Sequence, residues 1–156
     1  MCGHSCLGDA CSNGKCQATP VSGAAAAPFN YPPDNETGIT AGGHTYTWGY
    51  ATAPDGNQDA AIFKDGSTTP LCIWATYSAS NEEDSFHGMA ADSNFIYGLL
   101  TGGPLGLFKC PIGGGPGVTI FEDPSAYTSN GLVDNGTALY WAEVIGGTTQ
   151  IYRIVK

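Results

Sequence analysis

Six side chains suited to chemistry gather in two segments. Pro54-Asp55-Gly56-Asn57-Gln58-Asp59 carries two carboxylates, and Ser80-Asn81-Glu82-Glu83-Asp84-Ser85-Phe86-His87 carries three more and a histidine. The simplest reading is a solvated acidic surface. A hard cation is a second, because Ca²⁺ takes several carboxylate and carbonyl oxygens. The run from Asp55 to Asp59 lacks calcium-loop spacing, so no resident metal or cofactor is expected and Ca²⁺ is the weaker alternative. Glycoside cleavage, with Glu82, Glu83 or Asp84 as acid and base, is the sharpest. It needs two carboxyls at a fixed separation, which neighbours in one loop do not supply. No catalytic residue is therefore assigned. Asp55, Asp59, Glu82, Glu83, Asp84 and His87 are expected as binding residues, because loops on a rigid scaffold commonly carry function.

Nucleophile signatures are missing. No G-x-S-x-G occurs, and Ser78, Ser80 and Ser85 have no paired histidine. Gly102-Gly103 and Gly113-Gly114-Gly115 read as hairpin turns, since no Gly-Lys-Ser follows to make a phosphate loop.

Four of the six cysteines, Cys2, Cys6, Cys11 and Cys16, fall within the first sixteen residues. So short a segment cannot bury a core, and disulfides are the usual substitute. Four cysteines allow three pairings, and the sequence does not choose among them. A zinc site fits less well, because the paired C-x2-C knuckles are missing and His4 is poorly spaced. Cys72 and Cys110 read as strand residues and are expected as buried free thiols; a bridge would need Cα atoms within about 7 Å.

The elements that position these groups follow from composition. The chain has 156 residues with 23 Gly and 10 Pro, a load that excludes a helical bundle. Its aromatic and apolar content excludes a wholly disordered chain. The net charge of −9 argues against nucleic acid and anionic membrane surfaces as partners. The apolar runs, such as Gly98-Leu99-Leu100, are too short to span a bilayer. No signal peptide is visible in the chain, and an extracellular or cell-surface setting is inferred from the cysteines.

Three segments align from a glycine: Gly38-Ile39-Thr40-Ala41, Gly88-Met89-Ala90-Ala91 and Gly131-Leu132-Val133-Asp134. Each leads into a polar turn: Gly42-Gly43-His44, Asp92-Ser93-Asn94 and Asn135-Gly136-Thr137. Aromatic strands follow at Tyr46-Thr47-Trp48, Ile96-Tyr97-Gly98 and Leu139-Tyr140-Trp141. A third strand recurs as Ile62-Phe63-Lys64, Leu107-Phe108-Lys109 and Ile151-Tyr152-Arg153, which uses three of the five basic residues at one position. Fourth strands are suggested at Leu71-Cys72-Ile73-Trp74 and Val118-Thr119-Ile120-Phe121. Four short strands with a period in the forties is the arithmetic of a β-propeller blade. The expected fold is all-β: a partial β-propeller of about three four-stranded blades after a small disulfide-rich segment. The expected divisions are 1–16, Cys-rich; 17–37, linker or exchanged strand; and 38–156, blades at about 38–80, 88–125 and 131–156. Trp48, Trp74 and Trp141 are expected to pack between blades.

The pattern of a glycine, an apolar residue, a Gly/Asn/Asp turn, Tyr-Trp and an apolar-aromatic-basic strand resembles YWTD-like and NHL-like propeller repeats. It is especially similar to repeats of secreted, Cys-rich bacterial proteins, with Leu139-Tyr140-Trp141-Ala142-Glu143 nearest the YWTD motif. The first two repeats lack part of the Tyr-Trp pair. The second cysteine that often follows a Lys-Cys step in such repeats is missing after Lys109-Cys110. The resemblance implies packing roles for these residues and no catalytic one.

Three blades do not close a ring. The third repeat stops after its third strand, and Ala18 to Gly23 could supply a fourth. Two expectations follow. Two chains pair head-to-tail into a six-bladed ring, each lending its N-terminal strand to the other. Alternatively, and preferred, the chain is a truncated piece of a longer propeller. The expected function is non-catalytic: an extracytoplasmic binding or scaffold propeller for a glycan or protein ligand. The alternatives are a glycan hydrolase with an acidic rim, or a fragment without independent activity.

Overall fold

The computed structural model describes residues 11–12, 15–21, 38–52, 56, 58–78, 85–101, 105–123, 129–145 and 148–156. The described residues are all-β. Strands β1 (Cys11–Ser12) and β2 (Lys15–Cys16) form a small pair, and β3 spans Thr19–Pro20. A first sheet contains β4 (Gly38–Ala41), β5 (His44–Thr52), β6 (Gln58–Lys64) and β7 (Pro70–Ser78). A second contains β8 (Ser85–Ala91), β9 (Phe95–Thr101), β10 (Leu105–Pro111) and β11 (Val118–Asp123). The third holds β12 (Ser129–Asp134), β13 (Ala138–Ile145), β14 (Thr148–Val155) and, at its edge, β3. All three sheets are four-stranded and antiparallel.

The turns follow from residue type. Gly42 and Gly43 join β4 to β5 at φ of 57° and 80°, a region that side chains disfavour. The second and third sheets build the same turn with a side chain. Asp92 Oδ1 accepts the amides of Asn94 (2.8 Å) and Phe95 (2.9 Å), and Asn135 Oδ1 accepts those of Thr137 (3.0 Å) and Ala138 (2.9 Å).

Register refines the repeat. Tyr46 stands opposite Lys64, Tyr97 opposite Lys109, and Tyr140 opposite Arg153. The basic residues are therefore equivalent, as expected. Aligned this way, Gly38 corresponds to Met89 and Leu132, and Tyr46 to Tyr97 and Tyr140. Relative to the glycine-based alignment, the first repeat shifts by one residue.

The sheets pack in series. Alternation along each strand gives two faces, and the second sheet is covered on both. Ile96, Leu100 and Phe108 pack with Tyr46, Ile62 and Trp74 of the first sheet. Tyr97, Leu99 and Phe121 pack with Leu139, Trp141 and Ile154 of the third. The first strands are neighbours, with β8 beside both β4 and β12. A Cβ on Gly88 would meet Leu132 N at 2.6 Å, so glycine is what lets β8 and β12 approach. Among the described residues the third sheet does not close back on the first.

One expectation changes. Cys72 and Cys110 are not free thiols. They form a disulfide between β7 and β10, with Cα atoms 6.0 Å apart. The reason is geometric: both point into the junction of the first and second sheets, within bridging reach. The N-terminal strand β3 supplies the fourth strand of the third sheet, as expected of the segment from Ala18 to Gly23. Thr19 and Pro20 stand opposite Arg153 and Tyr152, and the Val21 amide donates to the Ile151 carbonyl at 2.9 Å.

Candidate functional site

The sheets have two ends. One carries the β4–β5, β8–β9 and β12–β13 turns; the other carries the connections between second and third strands and the crossovers between sheets.

At the turn end, Lys156 joins the second and third sheets. Its Nζ donates to Asp92 Oδ2 at 2.9 Å and to Asp134 Oδ2 at 2.6 Å. Tyr97 Oη donates to the same Asp92 oxygen at 2.8 Å. Burial alone would raise the Asp92 carboxyl, but bonds from Lys156, Asn94, Tyr97 and Phe95 outweigh it and hold the pKa at about 2. Burial, then the Asp92 bond, raises the Tyr97 phenol. Every oxygen of Asp92 is engaged by protein donors, so this cluster is a clamp rather than a reactive centre.

At the crossover end, the junction of the first and second sheets carries aromatics. Trp48 and Tyr50 alternate along β5 and share a face. The Trp48 ring stacks on Phe86 with centroids 5.0 Å apart and planes 14° apart, and Tyr50 meets Trp48 edge-on at 5.9 Å. Trp48 and Phe86 are half-buried, whereas Tyr50 is 39% exposed. The core thus runs out to solvent through a stepped aromatic surface.

Of the expected binding residues, Asp55, Glu82, Glu83 and Asp84 lie outside the described residues. Asp59, the second residue of β6, lies on the face that alternates with Ala60 and Ile62, away from the second sheet, and is 1% exposed. His87 is the extra residue of a bulge in β8, between Phe86 opposite Leu100 and Gly88 opposite Leu99, and is half-buried. Cys11 and Cys16 stand directly opposite in the β1–β2 pair. Their side chains, with Cys2 and Cys6, fall outside the described residues. Among the described residues no group of three or more metal-ligating side chains converges.

The junction of the second and third sheets holds the acid that the loop-based expectation missed. Glu143 of β13 is fully buried. The Trp141 indole N–H donates to its Oε1 at 2.6 Å, and its Oε2 has no hydrogen-bond partner. Burial is the main force raising its pKa to about 7; the Trp141 bond opposes the rise, and the charge of Asp123 adds to it. The signal was present in Leu139-Tyr140-Trp141-Ala142-Glu143, where alternation puts the acid on the same face as Leu139 and Trp141. No protein-family description matches the chain, and no curated protein matches it significantly.

Proposed function

We propose that this chain is a non-catalytic binding module of the partial-propeller type, working outside the cytoplasm and taking a glycan at the crossover end of its first two sheets. The observation that carries this reading is the exposed Tyr50 beside the half-buried Trp48–Phe86 stack. Aromatic rings present a flat apolar face with little side-chain entropy to lose, which suits the C–H face of a sugar. The support beneath is rigid, because the Cys72–Cys110 bridge ties the two sheets together. A structural disulfide is also consistent with a non-cytoplasmic setting. Three sheets in series with adjacent first strands support the propeller reading. A closed ring then requires further blades, from a second copy or from a longer chain. Light scattering separates these: twice 16.1 kDa supports a pair.

The experiment is a glycan array followed by calorimetric titration of the strongest binder. Tyr50→Ala should weaken binding at least tenfold with the fold intact by circular dichroism. Unchanged affinity in Tyr50→Ala, or sugar turnover by the wild-type chain, would refute the reading.

A further inference from the structure

The Glu143 carboxyl serves none of the roles assigned above, yet it is placed where a charge is most costly. It sits between two sheets, with no exposed surface, one oxygen bonded to Trp141 and the other unpartnered. From β11 of the facing sheet Asp123 bears on it, and from β14 Tyr152, whose ring stacks on Trp141 at 6.1 Å. Opposite it on its own sheet stand Gln150 and Ser129, which are uncharged. The cations of these two sheets are placed elsewhere. Lys109 lies 3.7 Å over the Phe95 ring, Lys156 is held by Asp92 and Asp134, and Arg153 faces the other side of the third sheet beside Tyr140. The short strand β2 lies beside β11; the Lys15 side chain falls outside the described residues.

We propose that Glu143 is a proton-operated latch between the second and third sheets, closed when its carboxyl is neutral and released when it ionises against Asp123. Neutral, Oε2 is a hydroxyl, for which one missing hydrogen bond is a modest cost. Ionised, it is a buried anion facing a second carboxylate, and the junction relieves both penalties by opening to water. The chain thereby senses whether its surroundings are acidic or alkaline. The switched element is the third sheet, with the N-terminal strand β3 carried on it.

Hydrogen exchange of the full chain tests this, with rates corrected for the intrinsic effect of pH. If the carboxyl returns to its ordinary value of 4.5 on opening, the open population rises roughly seventyfold between pH 5 and 8. The gain should be confined to amides at the junction, in 105–123 and 129–145, with 58–74 of the first sheet unaffected. Glu143→Gln, which keeps the acceptor for Trp141 and cannot ionise, should abolish the dependence. Carbon-13 titration of the wild-type Glu143 carboxyl decides the matter if that variant does not fold. A midpoint above 6 supports the latch and one below 6 overturns it. An identical pH profile in the Gln variant, or uniform opening of all three sheets, also overturns it.

Discussion

Removing the Cys72–Cys110 bridge should cost about 4 kcal/mol. The two cysteines are 38 residues apart in sequence, and closing a loop of that length in the unfolded chain carries about this entropic penalty at 25 °C. Both residues are buried, at 2% and 0% exposure, so the Cys72→Ala, Cys110→Ala double variant adds a cavity term of the same sign. A domain of this size has a total stability of roughly 5–15 kcal/mol, so the loss is a large share. It corresponds to a fall in Tm of roughly 8–16 °C. Substitution is preferable to a reductant, because it changes this pair of cysteines alone. Urea denaturation followed by circular dichroism gives the difference, and non-reducing peptide mapping establishes the bridge in the parent. Finding 72 and 110 unlinked in the parent, or a loss below about 1 kcal/mol, would refute the placement of β7 against β10.

Three further outcomes follow from the same geometry. The Asp92 carboxyl, held at about 2 against an ordinary 3.8, contributes about 2 kcal/mol that is fully present above pH 3.8 and lost as pH falls toward 2. Glu143, raised from 4.5 to about 7, contributes about 3 kcal/mol that is fully present below pH 4.5 and lost as pH rises through 7. Chemical denaturation across pH 2–9 should therefore show maximal stability near pH 4; a maximum at or above pH 7 would contradict the Glu143 assignment, and stability undiminished from pH 4 down to pH 2 would contradict that of Asp92. Lys156→Met leaves Asp92 and Asp134 facing each other with side chains only 22% and 9% exposed, and should cost about 2–3 kcal/mol at pH 7 by urea denaturation. Gly117→Ala drives a Cβ into the Trp74 indole and should cost about 1–3 kcal/mol, read with a shift in tryptophan emission.

The repeat was legible because it is written in local chemistry. Scarce basic residues, glycine turns and aromatic strands sit close together in the chain, and the backbone register places Lys64, Lys109 and Arg153 in matching positions. The offset in the first repeat was not legible, because it rests on which tyrosine stands opposite the basic residue, a cross-strand fact. The fourth strand of the third sheet was foreseen from Ala18 to Gly23, since an unfilled edge needs a partner. The Cys72–Cys110 bridge and the Lys156 clamp depend on how whole sheets stack, which residue spacing does not encode. The acidic residues of 54–59 and 80–87 stand out in the sequence by their charge, whereas Glu143 matters through its burial, which depends on the stacked sheets. Its alternation with Leu139 and Trp141 was the available clue.

Nuclear Overhauser contacts among the core side chains test the serial stacking most directly. The account predicts that protons of Ile96 and Phe108 lie near those of Tyr46 and Ile62, while those of Tyr97 and Leu99 lie near Leu139 and Trp141. Direct contacts between Ile62 and Leu139, as in two facing layers without an intervening sheet, would contradict it.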